Sequence, residues 1–314
     1  MEPLSPLPRA EREAMSRSAA AQREHEREKV AEHYQNDPEV FRRVLGRQMA
    51  YSVGVFASPT ATLEQAQDEK LARIRAKLDV RPGEKVLDVG CGRGSVLVDL
   101  AEHTAGTVHG ITLSARQREV ALARAHAAGA AERVRIDLCH VEELELPPES
   151  VDAIVFSGSI VHMHQRKAVH ELVARTLKPG GRVLISDCYF PGHLRGDRDS
   201  RATHHIFVTA LGYCRLIPLA EELGLMEAAG IDVLHVEDLT ADYVRTVDLW
   251  VDNVRRHRGF IEQRSPGFAR LLQTYMLVGR MSFHRRTALE YMILGVKGRP
   301  RLSPSSWPVP ASSP

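Results

Sequence analysis

The run VLDVGCGRG at residues 86–94 constrains the fold more than any other segment of this chain. An apolar stretch containing Asp88 passes directly into three glycines at alternate positions, Gly90, Gly92 and Gly94. Glycine lets the chain turn tightly after a strand and lets a ligand lie against exposed main-chain N–H groups. Because a helical pattern follows, the segment predicts a strand, a binding turn and a helix in succession.

Strand and helix patterns alternate around this turn. Short apolar runs predict strands at residues 85–90, 107–111, 133–138, 151–156 and 181–188. Helical patterns predict helices at residues 94–103, 114–128 and 167–177. This alternation is typical of parallel strands that are joined by crossover helices. We therefore expect an α/β fold with a Rossmann-like sheet.

The pattern changes after Pro191, where helical segments begin to dominate. Helices are predicted at residues 202–214, 217–229, 240–258 and 265–282, and strands at residues 233–236 and 289–297. We interpret residues 190–288 as a helical cover over the sheet that binds the acceptor. It is an insertion within one domain that spans residues 34–297.

Two segments of unusual composition flank this domain. Residues 1–33 include a run rich in Glu, Arg, Ala and Gln, which predicts a charged helical arm. The arm is either solvated, a lid over the site, or a contact between two copies of the chain. Residues 298–314 are dense in Pro and Ser and predict a disordered tail.

Charge and composition exclude several classes of protein. The chain has 42 Lys and Arg against 40 Asp and Glu, and a net charge of +2 argues against a nucleic-acid partner. No apolar run approaches the roughly 18 residues of a membrane-spanning helix, so we expect no stable insertion into a membrane. The four cysteines lack C-x-x-C spacing, which predicts no metal site. We expect a cytoplasmic protein, with homo-oligomer formation left open.

Polar residues after the second and third strands indicate which cofactor the turn would bind. A dinucleotide site has an acidic residue about 20 residues after the glycines, for a ribose hydroxyl. Here Thr112 stands at that place and Gln117 follows one helical turn later, so hydroxyl recognition would fall to neutral groups. Glu142 follows the third strand and could accept from the exocyclic amine of an adenine. The pattern disfavours NAD, and a Rossmann scaffold without a nucleotide is the other alternative.

The motifs LDVGCG, LP-x-x-S-x-D and LKPGG together resemble those of the class I methyltransferases, over about residues 45–297. This resemblance implies S-adenosyl-L-methionine as the cofactor, with Asp88 and the glycines around its methionine part. Tyr51 and Ser52, followed by TL-x-x-AQ, are similar to the cyclopropane fatty acid synthases, where these two residues help to hold the cofactor. Ser157, at the end of the fourth strand, is a further candidate for cofactor binding. GCGRG with GITLS looks more like the geranyl diphosphate C-methyltransferases.

The chain departs from both of these branches at the residues that carry their chemistry. The cyclopropane synthases hold a bicarbonate ion with a Cys and a Glu, and here Val53 and Val161 stand at those positions. The prenyl diphosphate enzymes use a Glu in the loop at residues 157–163, which has none. The same loop resembles the His-Met loop of small-molecule O-methyltransferases, which implies that His162 and Asp187 border the acceptor.

A histidine suits this position because methyl transfer to a neutral hydroxyl needs a base near neutral pH. His162 is the candidate base, Asp187 could orient its imidazole, and His164 is the alternative. The bland interpretation is that His162 only caps or packs the loop. The run that contains Arg195, Arg198, Arg201, His204 and His205 could hold a phosphate or carboxylate, or be a solvated basic loop.

We therefore expect a methyltransferase that acts on a carbon or oxygen of a small isoprenoid, lipid-like or polyketide acceptor, which can be anionic. One alternative is a cyclopropane synthase that acts on unsaturated acyl chains. An alternative of another class is a protein that binds the cofactor without turnover.

Overall fold

The computed structural model describes residues 21, 24, 27, 28, 37–194 and 214–298. Its strands are β1 (Lys85–Val89), β2 (Thr107–Thr112), β3 (Val134–Leu138), β4 (Val151–Ser157), β5 (Leu177–Tyr189), β6 (Ile231–Asp238) and β7 (Leu289–Lys297). They form one sheet in the order β3-β2-β1-β4-β5-β7-β6. The first five strands run parallel, whereas β7 is antiparallel to both β5 and β6.

Helices cover both faces of the sheet. They are α1 (Pro38–Leu45), α2 (Leu63–Leu78), α3 (Ser95–His103), α4 (Ala115–Ala127), α5 (Arg166–Thr176), α6 (Leu219–Ala228), α7 (Thr240–Arg256), α8 (Arg258–Arg264) and α9 (Phe268–His284). Short 3-10 turns at Val141–Glu143 and Ile160–His162 follow β3 and β4. Among the described residues, no helix combines the length and the apolar character needed to cross a membrane.

Local sequence explains where α2 and α4 begin. Thr62 and Gln65 form a reciprocal capping box at the start of α2, in which each side chain bonds to the other residue's main-chain N–H. Ser114 caps α4 by accepting from the main-chain N–H of Gln117 at 3.3 Å. Because α4 starts so soon after β2, Thr112 and Gln117 are brought together at one corner of the sheet.

Two apolar cores hold the layers together. On one face, β1 packs against α2, α3 and α4 through residues such as Ile74, Leu97 and Ala121. On the other face, β4 and β5 pack against α5 and α6 through residues such as Val173 and Met226. Burying each large aliphatic side chain contributes roughly 1.5–3 kcal/mol. The carboxyl ends of β1, β2 and β4 are therefore held rigidly side by side.

A third apolar cluster joins the N-terminal part of the domain to the helical cover. Phe41 of α1 packs in it with Trp250 of α7, Ile261 of α8 and Leu272 of α9. The cover therefore lies on the segment at residues 49–53, which leads into α2. This contact packs Tyr51 against Trp250 of the cover.

The predicted α/β Rossmann-like fold is confirmed, and each predicted strand is present. Two helices, α1 and α2, were not predicted, and β5 begins at Leu177 rather than at residue 181. The predicted helix at 265–282 begins instead at Phe268, after a separate α8, because Pro266 and Gly267 interrupt the helical run. The predicted helix at 202–214 falls almost wholly on residues outside the described part of the chain, as does the basic run that begins at Arg195.

Candidate active site

A cleft opens at the carboxyl ends of β1, β2 and β4, which is where open α/β sheets bind their ligands. It encloses about 880 Å³, including the solvent at its mouth. Its walls come from separate segments within residues 49–52, 89–95, 111–117, 139–141 and 157–163. A ligand that spans the cleft would therefore touch the ends of several strands at once.

The glycine turn forms the floor of this cleft. Gly90 and Gly92 have φ values of +77° and +54°, a region that strains residues with a side chain. A Cβ atom at Gly90 would lie 2.5 Å from the Cβ atom of Ser159. A Cβ atom at Gly92 would have no heavy atom within 4 Å, because that residue borders open space. The turn therefore presents bare main chain to a ligand.

We call the part of the cleft near Thr112, Gln117, Cys139 and His140 its β2 end. The hydroxyl of Thr112 donates to Oε1 of Gln117 at 2.8 Å, and both residues are buried. His140 accepts from the main-chain N–H of Glu142 through Nδ1 at 3.2 Å. All of these contacts are neutral, and they offer hydroxyl and amide groups to a ligand.

We call the opposite part, near Ser52, Ser157 and His162, its β4 end. Ser157 ends β4, and Ser52 reaches the same place from the segment that precedes α2. Tyr51 also lines this end and packs on Trp250, with 5.3 Å between the ring centroids. His162 lines the cleft at the end of the 3-10 turn Ile160–His162 and is half-buried.

A buried lysine lies directly beneath the β4 end. Lys70 projects from α2, is 1% exposed, and donates from Nζ to Oγ of Ser52 at 2.6 Å and to Oγ of Ser157 at 2.8 Å. Burial lowers the pKa of Lys70 to about 8, although the carboxylates of Glu290, Asp187 and Asp88 attract its charge. Lys70 therefore keeps its proton at neutral pH and places a cation under two serines of the cleft.

Three buried carboxyl groups surround this cation. Burial raises the pKa of Asp88 to about 7, and burial together with Asp187 raises the pKa of Glu290 to about 8. Glu290 accepts from Oγ of Ser186 at 3.1 Å and from Sγ of Cys188 at 3.2 Å. Burying an isolated charge is costly, so the lysine and the carboxyl groups depend on one another.

Asp187 secures the loop that carries His162. Its carboxylate accepts from the main-chain N–H of Val161 at 3.1 Å and from that of Cys188 at 2.8 Å. Burial raises the pKa of Asp187, while the nearby charges of Arg166 and His162 act in the opposite direction. Asp187 therefore holds the main chain of the loop that carries His162.

Arg166 holds the other side of this loop. It donates to the main-chain oxygen of Met163 at 3.1 Å and to the carboxylate of Glu222 at 2.7 Å. Glu222, which is 0% exposed, also bonds to Nε2 of His170 at 2.7 Å. This buried group ties the loop at residues 160–163 to both α5 and α6.

The structure brings most of the predicted site residues together. Those that line the cleft are Tyr51, Ser52, Gly90, Gly92, Thr112, Gln117, Ser157 and His162. The walls do not include Asp88, Gly94, Glu142, His164 and Asp187, all of which lie in the described part of the chain. These five residues lie behind or beside the walls of the cleft and stay candidates from the sequence.

Packing explains these five positions. Asp88 is 1% exposed and lies below the glycine turn, and Gly94 gives room to α4, since a Cβ atom there would lie 2.9 Å from that of Ala121. Val141 takes the wall position next to Glu142. His164 lies past the end of the wall at Met163, and Asp187 is 2% exposed beneath the loop.

Sequence reasoning missed Lys70 and Glu290. Lysine is rarely buried, so a lysine on a helix is normally assigned to its solvent face. The available signal was that Lys70, Gln67 and Leu63 recur at helical spacing on the apolar side of α2, where all three are buried. Glu290 lies in an apolar strand, where a single carboxyl group facing inward could have been noticed.

The comparisons with known proteins agree with this arrangement. Residues 21–291 match the family described as mycolic acid cyclopropane synthetase. The chain is 34% identical over 218 residues to Methyltransferase GfsG of Streptomyces halstedii, covering 67% of this chain and 75% of that protein. It is 29% identical to the 27-O-demethylrifamycin SV methyltransferase of Amycolatopsis mediterranei, covering 77% and 87%.

This chain belongs to the mycolic acid cyclopropane synthetase family. Its fold is similar to that of a cyclopropane synthase from Mycobacterium tuberculosis, with a TM-score of 0.80 at 21% identity over 86% of this chain and 98% of that one. The predicted branch of the class I methyltransferases is confirmed, and so are the enzyme class and its cofactor, S-adenosylmethionine.

The residues of the cleft fit this cofactor. A methyl donor with an adenosine part needs partners for two ribose hydroxyls and room for an amino-acid tail. The β2 end offers the neutral Thr112 and Gln117 in place of the acidic residue of a dinucleotide site. The turn at Gly90 and Gly92 leaves the space that a side chain would fill.

Proposed function

We propose that this enzyme transfers a methyl group from S-adenosylmethionine to an oxygen or carbon of a small isoprenoid, lipid-like or polyketide acceptor, with His162 as the base. The proposal depends above all on one observation. His162 lines the β4 end of the cleft on a loop whose main chain is held by Asp187 and Arg166. The main chain from which the imidazole projects is therefore fixed before the acceptor arrives.

The cofactor would lie along the carboxyl edge of the sheet. Thr112 and Gln117 would hold its ribose hydroxyls, and Glu142 remains a candidate partner for the adenine beyond Val141. The bare main chain at Gly90 and Gly92 would lie against the methionine part, with Tyr51, Ser52 and Ser157 at its far end. When bound, the cofactor supplies a methyl group on a positively charged sulfur, which is a strong electrophile.

His162 would then take the proton that the acceptor must lose. In O-methylation the new C–O bond forms as the C–S bond breaks, and the hydroxyl proton passes to the imidazole. In C-methylation of an alkene the proton leaves a carbon next to the new bond. A positioned base of this kind contributes typically 10²- to 10⁴-fold to the rate.

The residues around the loop support a reaction that uses no bicarbonate ion. Val53 and Val161 are 0% and 3% exposed, and both pack in apolar clusters. Neither can bond to an anion, so the positions that hold bicarbonate in cyclopropane synthases are apolar here. The name of the 27-O-demethylrifamycin relative indicates an oxygen acceptor for that protein, which supports including hydroxyl groups among the acceptors.

Two further points belong to this proposal. An anionic acceptor depends on the basic run from Arg195 to His205, which lies outside the described residues. The cytoplasmic location, the charged arm at residues 1–33 and a homo-oligomer remain predictions from the sequence.

Product mass spectrometry tests the proposal. The enzyme is incubated with S-adenosylmethionine that carries a labelled methyl group and with a panel of hydroxylated and olefinic acceptors. We expect label in at least one acceptor of these classes. If the cofactor binds but no acceptor is labelled, the chain is a binding protein without turnover.

The second candidate function is a cyclopropane synthase acting on unsaturated acyl chains, and the family match favours it. Activity in carbonate-depleted buffer separates the two functions. We expect the same rate with and without added bicarbonate, because Val53 and Val161 offer it no ligands. A large increase in the rate on adding bicarbonate would favour the cyclopropane synthase over the methyltransferase proposed here.

A further inference from the structure

The two hydroxyl groups above Lys70 have a fixed direction. An ammonium group has three donors and no acceptor, so each hydrogen bond from Nζ makes a serine oxygen the acceptor. Lys70 makes such bonds to Ser52 at 2.6 Å and to Ser157 at 2.8 Å. The O–H group of each serine is then left to donate in another direction.

Both serines line the cleft, whereas Lys70 does not. The order of the strands indicates which part of the cofactor they meet. In the order β3-β2-β1-β4, Thr112 ends β2, the glycine turn follows β1, and Ser157 ends β4. A ligand with its ribose at the β2 end therefore extends its amino-acid tail toward the β4 end.

We propose that Lys70 is a positioning residue of the cofactor site: its ammonium group holds the oxygens of Ser52 and Ser157, so that both hydroxyl groups donate into the cleft to the carboxylate of the cofactor's methionine part. The inference rests on the proposed function, because it needs the cofactor in the orientation given above. Lys70 acts through the two serines and does not touch the cofactor.

The charges around Lys70 are consistent with this role. Asp88, Asp187 and Glu290 attract its ammonium group from β1, β5 and β7. These carboxyl groups lie below the buried lysine, and the serines carry its polarising effect to the cleft. Hydrogen bonds to charged groups are stronger than neutral ones, so two polarised hydroxyls form a good carboxylate site.

Calorimetry with two ligands tests the proposal. S-adenosylhomocysteine contains the amino-acid carboxylate, whereas 5′-methylthioadenosine keeps the adenosine part and lacks the amino-acid tail. In Lys70→Met we expect the affinity for S-adenosylhomocysteine to fall about 10- to 100-fold, the scale of lost charge-assisted hydrogen bonds. The affinity for 5′-methylthioadenosine should change by less than about twofold, because that ligand makes no contact through the serines.

Lys77→Met is the matched control, since Lys77 lies on the same helix and pairs with Glu237 at 3.3 Å, away from the cleft. It should leave both affinities unchanged. If Lys70→Met does not fold, the double variant Ser52→Ala with Ser157→Ala should show the same selective loss. Equal weakening of both ligands, or no weakening of S-adenosylhomocysteine, would overturn the proposal. Failure of the wild-type protein to bind either ligand would instead contradict the cofactor assignment.

Discussion

At the β2 end of the cleft the contact between Thr112 and Gln117 is neutral and local, whereas at the β4 end the contacts are charged and join distant parts of the chain. Thr112 and Gln117 are five residues apart and bond to each other directly. Lys70 and Ser157 are 87 residues apart, and Glu290 reaches the same group from the last strand. A substitution of Thr112 at the β2 end therefore removes a neutral hydrogen bond. A substitution at the β4 end removes either the proposed base, His162, or one member of a buried group of ionisable side chains.

The largest expected effect is at the β4 end. His162→Ala should lower kcat by about 10²- to 10⁴-fold, because the base that accepts the acceptor's proton is lost. The affinity for S-adenosylhomocysteine should change little, and steady-state kinetics with calorimetry measure both. His126→Ala, at an exposed position on α4, is the control and should behave as the wild type. Near-normal turnover in His162→Ala would show that this histidine only packs the loop.

The next effect concerns the floor between the two ends. Gly92→Val should weaken cofactor binding by more than about 100-fold, since its side chain fills space that the ligand needs and its φ of +54° adds strain of roughly 1–2 kcal/mol. Gly129→Val is matched for strain, with a φ of +66° and open space around it, and Gly129 is not among the residues that line the cleft. Calorimetry should find normal cofactor binding in Gly129→Val. Equal losses in the two variants would mean that strain alone, and not the cleft, explains the effect.

A smaller effect should appear in the pH dependence of stability. The pKa of Glu290 is about 8 in the folded protein and about 4.5 unfolded, so the folded state keeps a proton that the unfolded state loses between these values. Stability from this group therefore falls as pH rises through that window. Glu290→Gln does not titrate, so its free energy of unfolding relative to the wild type should rise by roughly 1–3 kcal/mol from pH 5 to pH 8.

Chemical denaturation across this pH range measures that difference. The groups facing Glu290 are Lys70, Asp187, Ser186 and Cys188, and Tyr243 also lies within its field. Glu64→Gln, at an exposed position on α2, provides the control and should give a flat difference. A flat difference for Glu290→Gln as well would mean that Glu290 is ionised throughout, paired with Lys70.

The smallest effect belongs to the β2 end. Thr112→Val keeps the shape of the side chain and removes its hydroxyl, which bonds to Gln117. Loss of one neutral hydrogen bond costs about 1 kcal/mol, so calorimetry should find cofactor affinity reduced roughly fivefold. Thr107→Val, at the exposed start of the same strand, should have no effect. If Thr112→Val lowered the cofactor affinity as much as Gly92→Val, the two ends of the cleft would not differ in the way described.

The two ends also differ in how far the sequence predicts them. Thr112, Ser114 and Gln117 lie within one strand end and one helical turn, so short-range patterns are enough to place them. The glycine turn is predictable for the same reason. The position of Lys70 is not predictable in this way, because its burial depends on where α2 packs and on carboxyl groups from three strands that are distant in sequence. Asp187 was predicted near His162, but its bonds to the main chain of the loop follow only from the tertiary structure.

The most direct test of the central claim uses cofactor with a fully deuterated methyl group. Once an acceptor is found, mass spectrometry counts the deuterium atoms transferred to it. Methyl transfer to oxygen or carbon with His162 as the base removes the proton from the acceptor, so the product should retain all three deuterium atoms. Formation of a cyclopropane ring removes one from the transferred group. A product that carries only two would contradict the account.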